Sequence, residues 1–228
     1  VIISTKNYDL EDIINQLTPC IADDTTILPL LNGVEAVQKI RSAFPNNLVP
    51  AGCAYIVSAI KEPGVVENMG NRQEIHFGLE GKTDKRLTKL EDIFKAAGIE
   101  ATLSQEIAKV IWEKFIFLSC IATATSYFDK TIGKLLKEHL STLTELLNEV
   151  IAIALKKGIK VDSAIKDKAI EHYTALPADA TSSMHRDYLN HKPHTELSSL
   201  TGYVVRKAEK LHLKTPLFNK AYSALLAK

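Results

Sequence analysis

The chain has 228 residues, 46% of them hydrophobic, enough for one large domain or two modest ones without help from a disulfide or a metal. Its 28 Lys and Arg against 27 Asp and Glu leave a net charge of +1, without the basic surplus that nucleic-acid binding needs. There is no apolar run of about 18 residues to span a membrane and no signal-peptide pattern, and the odd, scattered Cys20, Cys53 and Cys120 read as reduced core residues of a cytoplasmic protein.

The apolar run Val1–Thr5 suits a strand buried on both faces of a parallel sheet, so the chain reads as a fragment of a longer protein. Asp9 is placed as the N-cap of a helix carrying Leu10, Ile13, Ile14 and Leu17 at helical spacing. Thr26 to Leu31 is extended and ends at Asn32-Gly33, after which Val34, Val37 and Ile40 form a second helical stripe. Leu48–Ile60, Val65–Met69 and Ile75–Leu79 read as strands, and Leu87–Ala97 as a helix. Beyond, the pattern turns helical: Ser104–Tyr127, the stripe Leu140, Leu143, Leu147, Val150 and Ala154 stopped by Gly158, then Ile165–Leu176, Ser182–Leu189, Thr195–Leu211 and Pro216–Ala227. Only Ile159–Val161 is strand-like there. The expected fold is thus an incomplete α/β sheet domain over 1–102 and an all-α domain over 103–228.

Lys114 is the most informative residue. On a helix its neighbours one and two turns away, Ile107, Val110, Ile111, Phe117, Leu118 and Ile121, are all apolar. A lysine there either snorkels to solvent or pairs with a carboxylate, or it presents its ammonium to a cleft between the domains as a proton or hydrogen-bond donor. Asn32-Gly33 turns a strand end into a helix, which is where open α/β sheets receive ligands, although a plain turn reads the same way. Lys6 has the corresponding position after the first strand, or is an ordinary surface lysine. Glu196 and Ser182-Ser183-Met184 both stand at helix beginnings, where caps are common. His185, His191 and His194 match no zinc spacing, and no metal is expected. The chain contains no G-x-S-x-G, P-loop, H-E-x-x-H or G-x-G-x-x-G motif.

Taken in order, these segments resemble the ketopantoate reductase (2-dehydropantoate 2-reductase) family. Lys6-Asn7-Tyr8 is similar to the lysine ending its fourth strand, Leu31-Asn32-Gly33 to its Gln-Asn-Gly turn, and Pro63-Gly64-Val65 to its Pro-Gly segment. Trp112-Glu113-Lys114-Phe115 resembles its Trp-x-Lys-Leu signature. Ser183-Met184-His185-Arg186-Asp187 followed by Thr195-Glu196-Leu197 resembles its Ser-Met-x-x-Asp … Thr-Glu-Ile pattern, and Leu213-Lys214-Thr215-Pro216 its closing segment.

The resemblance implies a Rossmann-like nucleotide-binding domain, a helical substrate and dimerisation domain, and NADPH-dependent reduction of 2-dehydropantoate to pantoate for pantothenate synthesis. By it Lys114 is the general acid and Glu196 holds that lysine and the substrate hydroxyl. Ser183 binds the substrate carboxylate, while Asn32 and Lys6 line the cofactor and substrate side. The partners implied are a small 2-keto acid and neither nucleic acid nor membrane, and a homodimer is left open. The family's phosphate-binding loop would lie upstream of residue 1, on a segment of about 60–70 residues, so residues 1–228 alone are expected neither to hold NADPH well nor to turn over. Family asparagines four and eight residues after the lysine are Leu118 and Ala122 here, and one before the serine is Ala180. The Ser183-to-Glu196 spacing is one residue longer than usual, and Pro29-Leu30-Leu31 replaces a more regular strand. Two alternatives remain: a reductase of another 2-keto acid on the same fold, or a non-catalytic helical oligomerisation or binding module.

Overall fold

A computed structural model describes residues 1–70 and 72–228. They form two units, Val1–Asn32 with Ala36–Ile111 and Gly33–Glu35 with Trp112–Lys228.

In the first unit the opening run gives only a short strand, β1 (Ile2–Ile3), parallel to β2 (Leu28–Pro29). Burial on both faces is not what the structure shows. Ile3 enters a core with Leu10, Ile27, Leu31, Ile40 and Phe44, whereas Val1 and Ile2 are exposed outside it. A 3₁₀ turn (Asn7–Asp9) precedes α1 (Leu10–Leu17), so Asp9 occupies the N-cap position in a helical conformation and its side chain makes no capping bond. Cys20 ends the short 3₁₀ turn after α1 and is exposed, unlike the buried Cys53 and Cys120; none of the three is in a disulfide.

Helix α2 (Ala36–Ala43) leads to β3 (Ala51–Tyr55), whose Gly52 lies so close to β2 that a Cβ would stand 2.7 Å from Leu28 Cδ1 and 2.9 Å from the Pro29 carbonyl. The long extended run predicted over 48–60 divides here. β4 (Ser58–Glu62) leaves to pair with β5 (Val65–Asn68) as a separate hairpin, while β3 pairs antiparallel with β6 (Glu74–Gly78). Helix α3 (Lys85–Ala96) is capped by Asp84, whose carboxylate accepts from Arg86 N–H. β7 (Glu100–Leu103), parallel to β6, had no counterpart in the sequence reading. Because Ser104 N–H continues that ladder to the Phe77 carbonyl, the next helix starts later than expected, as α4 (Ile107–Phe128).

The second unit is helical. Residues 112–128 of α4 are followed by α5 (Ile132–Glu138), which the sequence reading passed over, and α6 (Leu140–Lys156). Leu143, Leu147, Val150 and Ala154 are buried as the stripe requires, but Leu140 is exposed at the helix start. Gly158, at φ +77°, ends α6 with Ile159 N–H donating back to the Ala154 carbonyl. Ile159–Val161 forms no strand; Ile159 and Val161 instead lie against the helical core. Then come α7 (Ile165–Ala175), α8 (Ser183–Leu189), a π-helical turn (Ser198–Gly202), α9 (Tyr203–Lys210) and α10 (Pro216–Leu226). The expected single helix over 195–211 is therefore interrupted, its Gly202 N–H reaching five residues back to the Leu197 carbonyl at 2.9 Å. The α/β-then-α fold class holds. Among the described residues no helix is long and apolar enough to cross a membrane, and no cluster of His, Cys, Asp and Glu could hold a metal ion.

Candidate active site

The parallel pair β1–β2 sends its two following loops to the same end of the sheet. Lys6 is half-buried just beyond β1, and its carbonyl accepts from Asp9 N–H at 3.1 Å. The neighbouring Asn7 donates its amide to the Asn32 carbonyl at 2.7 Å, fastening the two loops together. Asn32 is half-buried, and Gly33 turns the chain at φ +90°, a conformation that favours glycine. Lys6 and Asn32 are thus brought together at the carboxyl ends of parallel strands, the ligand-receiving end of such a sheet. Asn7, quoted only as a neighbour in the motif, is the residue that joins them.

Lys114, Ser183 and Glu196 all belong to the helical unit. Trp112 and Phe115 of α4 make edge-to-face and tilted contacts with Tyr203 (ring centroids 5.4–6.1 Å), and Thr123 shares a buried hydrogen bond of 2.8 Å with Thr201. These contacts run α4 alongside the segment that Glu196 opens. Lys114 is half-buried. At about 100° per residue it stands roughly 200° round the helix from Trp112, on the face shared by Leu118 and Thr125.

On that face, Thr125 Oγ1 meets Ser182 Oγ at 2.8 Å. Ser182 caps α8 by accepting from His185 N–H at 3.0 Å, and Ser183 is the first helical residue. His185, only 5% exposed, is held at both ring nitrogens: Nδ1 lies 2.6 Å from Thr181 Oγ1 and Nε2 2.8 Å from Asp129 Oδ1. The imidazole hydrogen bond keeps the Asp129 carboxyl below its usual range. His185 is therefore fixed at both ring nitrogens beside the Ser182 cap. Its partner Asp129, 56 positions earlier, carried no sequence signal.

Glu196 is 3% exposed, which is rare for a carboxylate. Its backbone carbonyl accepts from Leu200 N–H (3.0 Å) and Ser199 Oγ (3.1 Å), so it sits at the mouth of the π-helical turn, a feature often found at functional sites. Ala122 is buried, and Leu118 and Ala180 are half-buried.

Comparison with known families decides the wider question. The family described as "Ketopantoate reductase PanE/ApbA" matches residues 1–81, and its C-terminal counterpart matches residues 106–228. The chain belongs to the ketopantoate reductase family. As a member it is an oxidoreductase acting on CH–OH groups. An uncharacterized oxidoreductase of Bacillus subtilis (strain 168), YkpB, is 29% identical over 228 residues, covering 99% of this chain and 75% of its own. The solved 2-dehydropantoate 2-reductase of Porphyromonas gingivalis W83 is 32% identical with a TM-score of 0.82, covering 99% and 71%. D-mandelate dehydrogenase, solved with NADH and anilino(oxo)acetate, has a TM-score of 0.88 at 23% identity, covering 99% and 74%, and shares the fold.

Proposed function

We propose that this family member reduces 2-dehydropantoate to pantoate with NADPH, using residues 1–102 as part of its nucleotide-binding domain and 103–228 to bind substrate. The observation that carries the reading is the α4 face bearing Lys114: the turn that presents Ser183 docks on it about three helical turns further on, at Thr125. The donor set at the ends of β1 and β2, an ammonium at Lys6 and an amide at Asn32, fits the polar nicotinamide side of a dinucleotide. Residues 1–228 contain no G-x-G-x-x-G motif for its pyrophosphate. When bound, the nicotinamide supplies the hydride that reduces the keto carbon. The mandelate dehydrogenase, solved with NADH, places NADH beside NADPH as a donor to be compared.

Lys114 then gives its proton to the keto oxygen as that oxygen takes up negative charge. Glu196, buried and acceptor-only when ionised, holds the lysine ammonium and the substrate hydroxyl. The Ser183 hydroxyl donates to the substrate carboxylate. The apolar Leu118, Ala122 and Ala180 favour a second reading, reduction of a 2-keto acid with a less polar side chain. Exposed Leu140, Leu155, Leu189 and Leu226 give the helical unit apolar surface for a homodimer.

The test is turnover by the intact protein on 2-dehydropantoate and on 2-keto acids with branched alkyl side chains, with NADPH and NADH compared. Lys114→Ala should fold normally and lower kcat on the preferred substrate by about 10²–10⁴. Near-normal turnover of that variant on every keto acid would remove Lys114 from the mechanism.

A further inference from the structure

Arg206, on the first turn of α9, lies outside the motifs that carry the family resemblance. Its Nη2 donates to Glu35 Oε2 at 3.2 Å and to the Ser198 carbonyl at 3.1 Å, and its Nη1 donates to Ser198 Oγ at 3.4 Å. One guanidinium therefore joins two stretches 163 positions apart (198 − 35), each next to a proposed site residue: Glu35 three residues after Asn32, and Ser198 two residues after Glu196.

Two further features belong to the same clamp. A Cβ built on Gly33 would lie 3.6 Å from the Ser199 carbonyl, so the Gly33–Glu35 stretch lies directly against the π-helical turn. At Gly202 a Cβ would come within 2.8 Å of Arg206 Nη1 and 2.9 Å of Tyr222 Cε2, so the absent side chain leaves room for the guanidinium.

The ion pair is too exposed to hold the fold together. The side chains of Arg206 and Glu35 are 43% and 30% exposed, and such pairs contribute about 0–1 kcal/mol. What the arrangement provides is geometry. A planar fork with several donors can satisfy a carboxylate, a carbonyl and a hydroxyl at once, which a single ammonium cannot do in fixed directions.

We infer that Arg206 is a positioning residue: through Glu35 and Ser198 it sets the loop after Asn32 against the turn that carries Glu196. The inference rests on the assignment of Lys114 and Glu196 to one active site. Without this anchor the Ser198 end of the turn shifts and carries Glu196 with it, and a displacement of about 1 Å is enough to lower turnover substantially.

The test compares Arg206→Met, Arg206→Lys, Glu35→Gln and the Glu35→Gln/Arg206→Met double variant with Lys114→Ala, measuring kcat, KM and Tm for each. Arg206→Met should lower kcat about tenfold with Tm nearly unchanged. Arg206→Lys should recover only part of that loss, and the double variant should be no slower than Arg206→Met alone. A Tm loss without a kcat loss, full recovery by lysine, or multiplicative losses in the double variant would each overturn the inference. If Lys114→Ala is inactive while Arg206→Met is unimpaired, the clamp alone is refuted; an active Lys114→Ala refutes the site assignment beneath it.

Discussion

Ser182→Ala removes the hydroxyl that joins α8 to α4, and its cost can be worked out bond by bond. Thr125 has one hydroxyl proton and directs it to the Ile121 carbonyl at 2.7 Å. The Ser182 hydroxyl must therefore donate to Thr125 while accepting from His185 N–H. Loss of an N-cap costs about 1 kcal/mol, and loss of the hydroxyl pair about 1 kcal/mol more. The sum, about 2 kcal/mol, corresponds to a Tm lower by roughly 4–8 °C for a chain of this size. Thr125→Val removes the hydroxyl pair from the other side and leaves the cap, so it should cost about 1 kcal/mol. The double variant should then be about 1 kcal/mol less destabilised than the two single losses added together. Urea denaturation followed by circular dichroism measures all three. A Ser182→Ala cost under about 0.5 kcal/mol, or strict additivity, would refute the proposed bonding.

Gly133→Ala should destabilise the helical unit by about 2–3 kcal/mol, because the new Cβ would lie 2.7 Å from both the Cβ and the carbonyl oxygen of Ala178; partial rescue of the melting temperature by Ala178→Gly checks the contact. At Glu74 the Arg72 hydrogen bond is the main force holding the carboxyl down to about 2, so on acidification the unfolded chain takes up this proton first. Its stabilisation is full above about pH 4.5 and is lost as the pH falls toward 2. Arg72→Gln should remove about 1 kcal/mol at pH 7, after allowance for solvent screening, and clearly less at pH 2, where Glu74 is partly protonated. Denaturation of both proteins at the two pH values measures the difference.

Elements with their own apolar period were legible before the structure. α3, α6, α7 and α10 fall close to their stripes, and Gly158 stops α6 as a glycine in that position should. The elements that were missed depend on distant partners. β7 is a short, partly exposed strand made by the β6 ladder, and the start of α5 is fixed by Ile132 and Gly133 N–H bonds to Ala180 and Ala178. The π-helical turn hides in a run whose apolar residues fit an α-helix equally well. Cys20 follows Leu17 in an apolar setting, but the chain turns there and carries the thiol outward. In the candidate site, Lys114 stood out because its charge violated a local pattern. Arg206–Glu35 and His185–Asp129 could not stand out, since their members are 171 and 56 positions apart. Each alone is an ordinary polar residue near a helix end.

The π-helical turn also bears on how chain length can drift in this family. A wide turn takes one more residue than an α-helical turn to cover similar ground, so a helix can absorb an insertion there without disturbing its later turns. Tyr203, Val204 and Ala208 keep their buried face whatever happens at 198–202. Closing the turn to an ordinary helix would instead rotate Glu196 by about 100° relative to them. The aim of the buried carboxylate and the packing of α9 can therefore change independently. When sequences of different length are aligned, an extra residue between Glu196 and α9 can be taken up within Ser198–Gly202, whereas the longer Ser183-to-Glu196 spacing lies ahead of this turn.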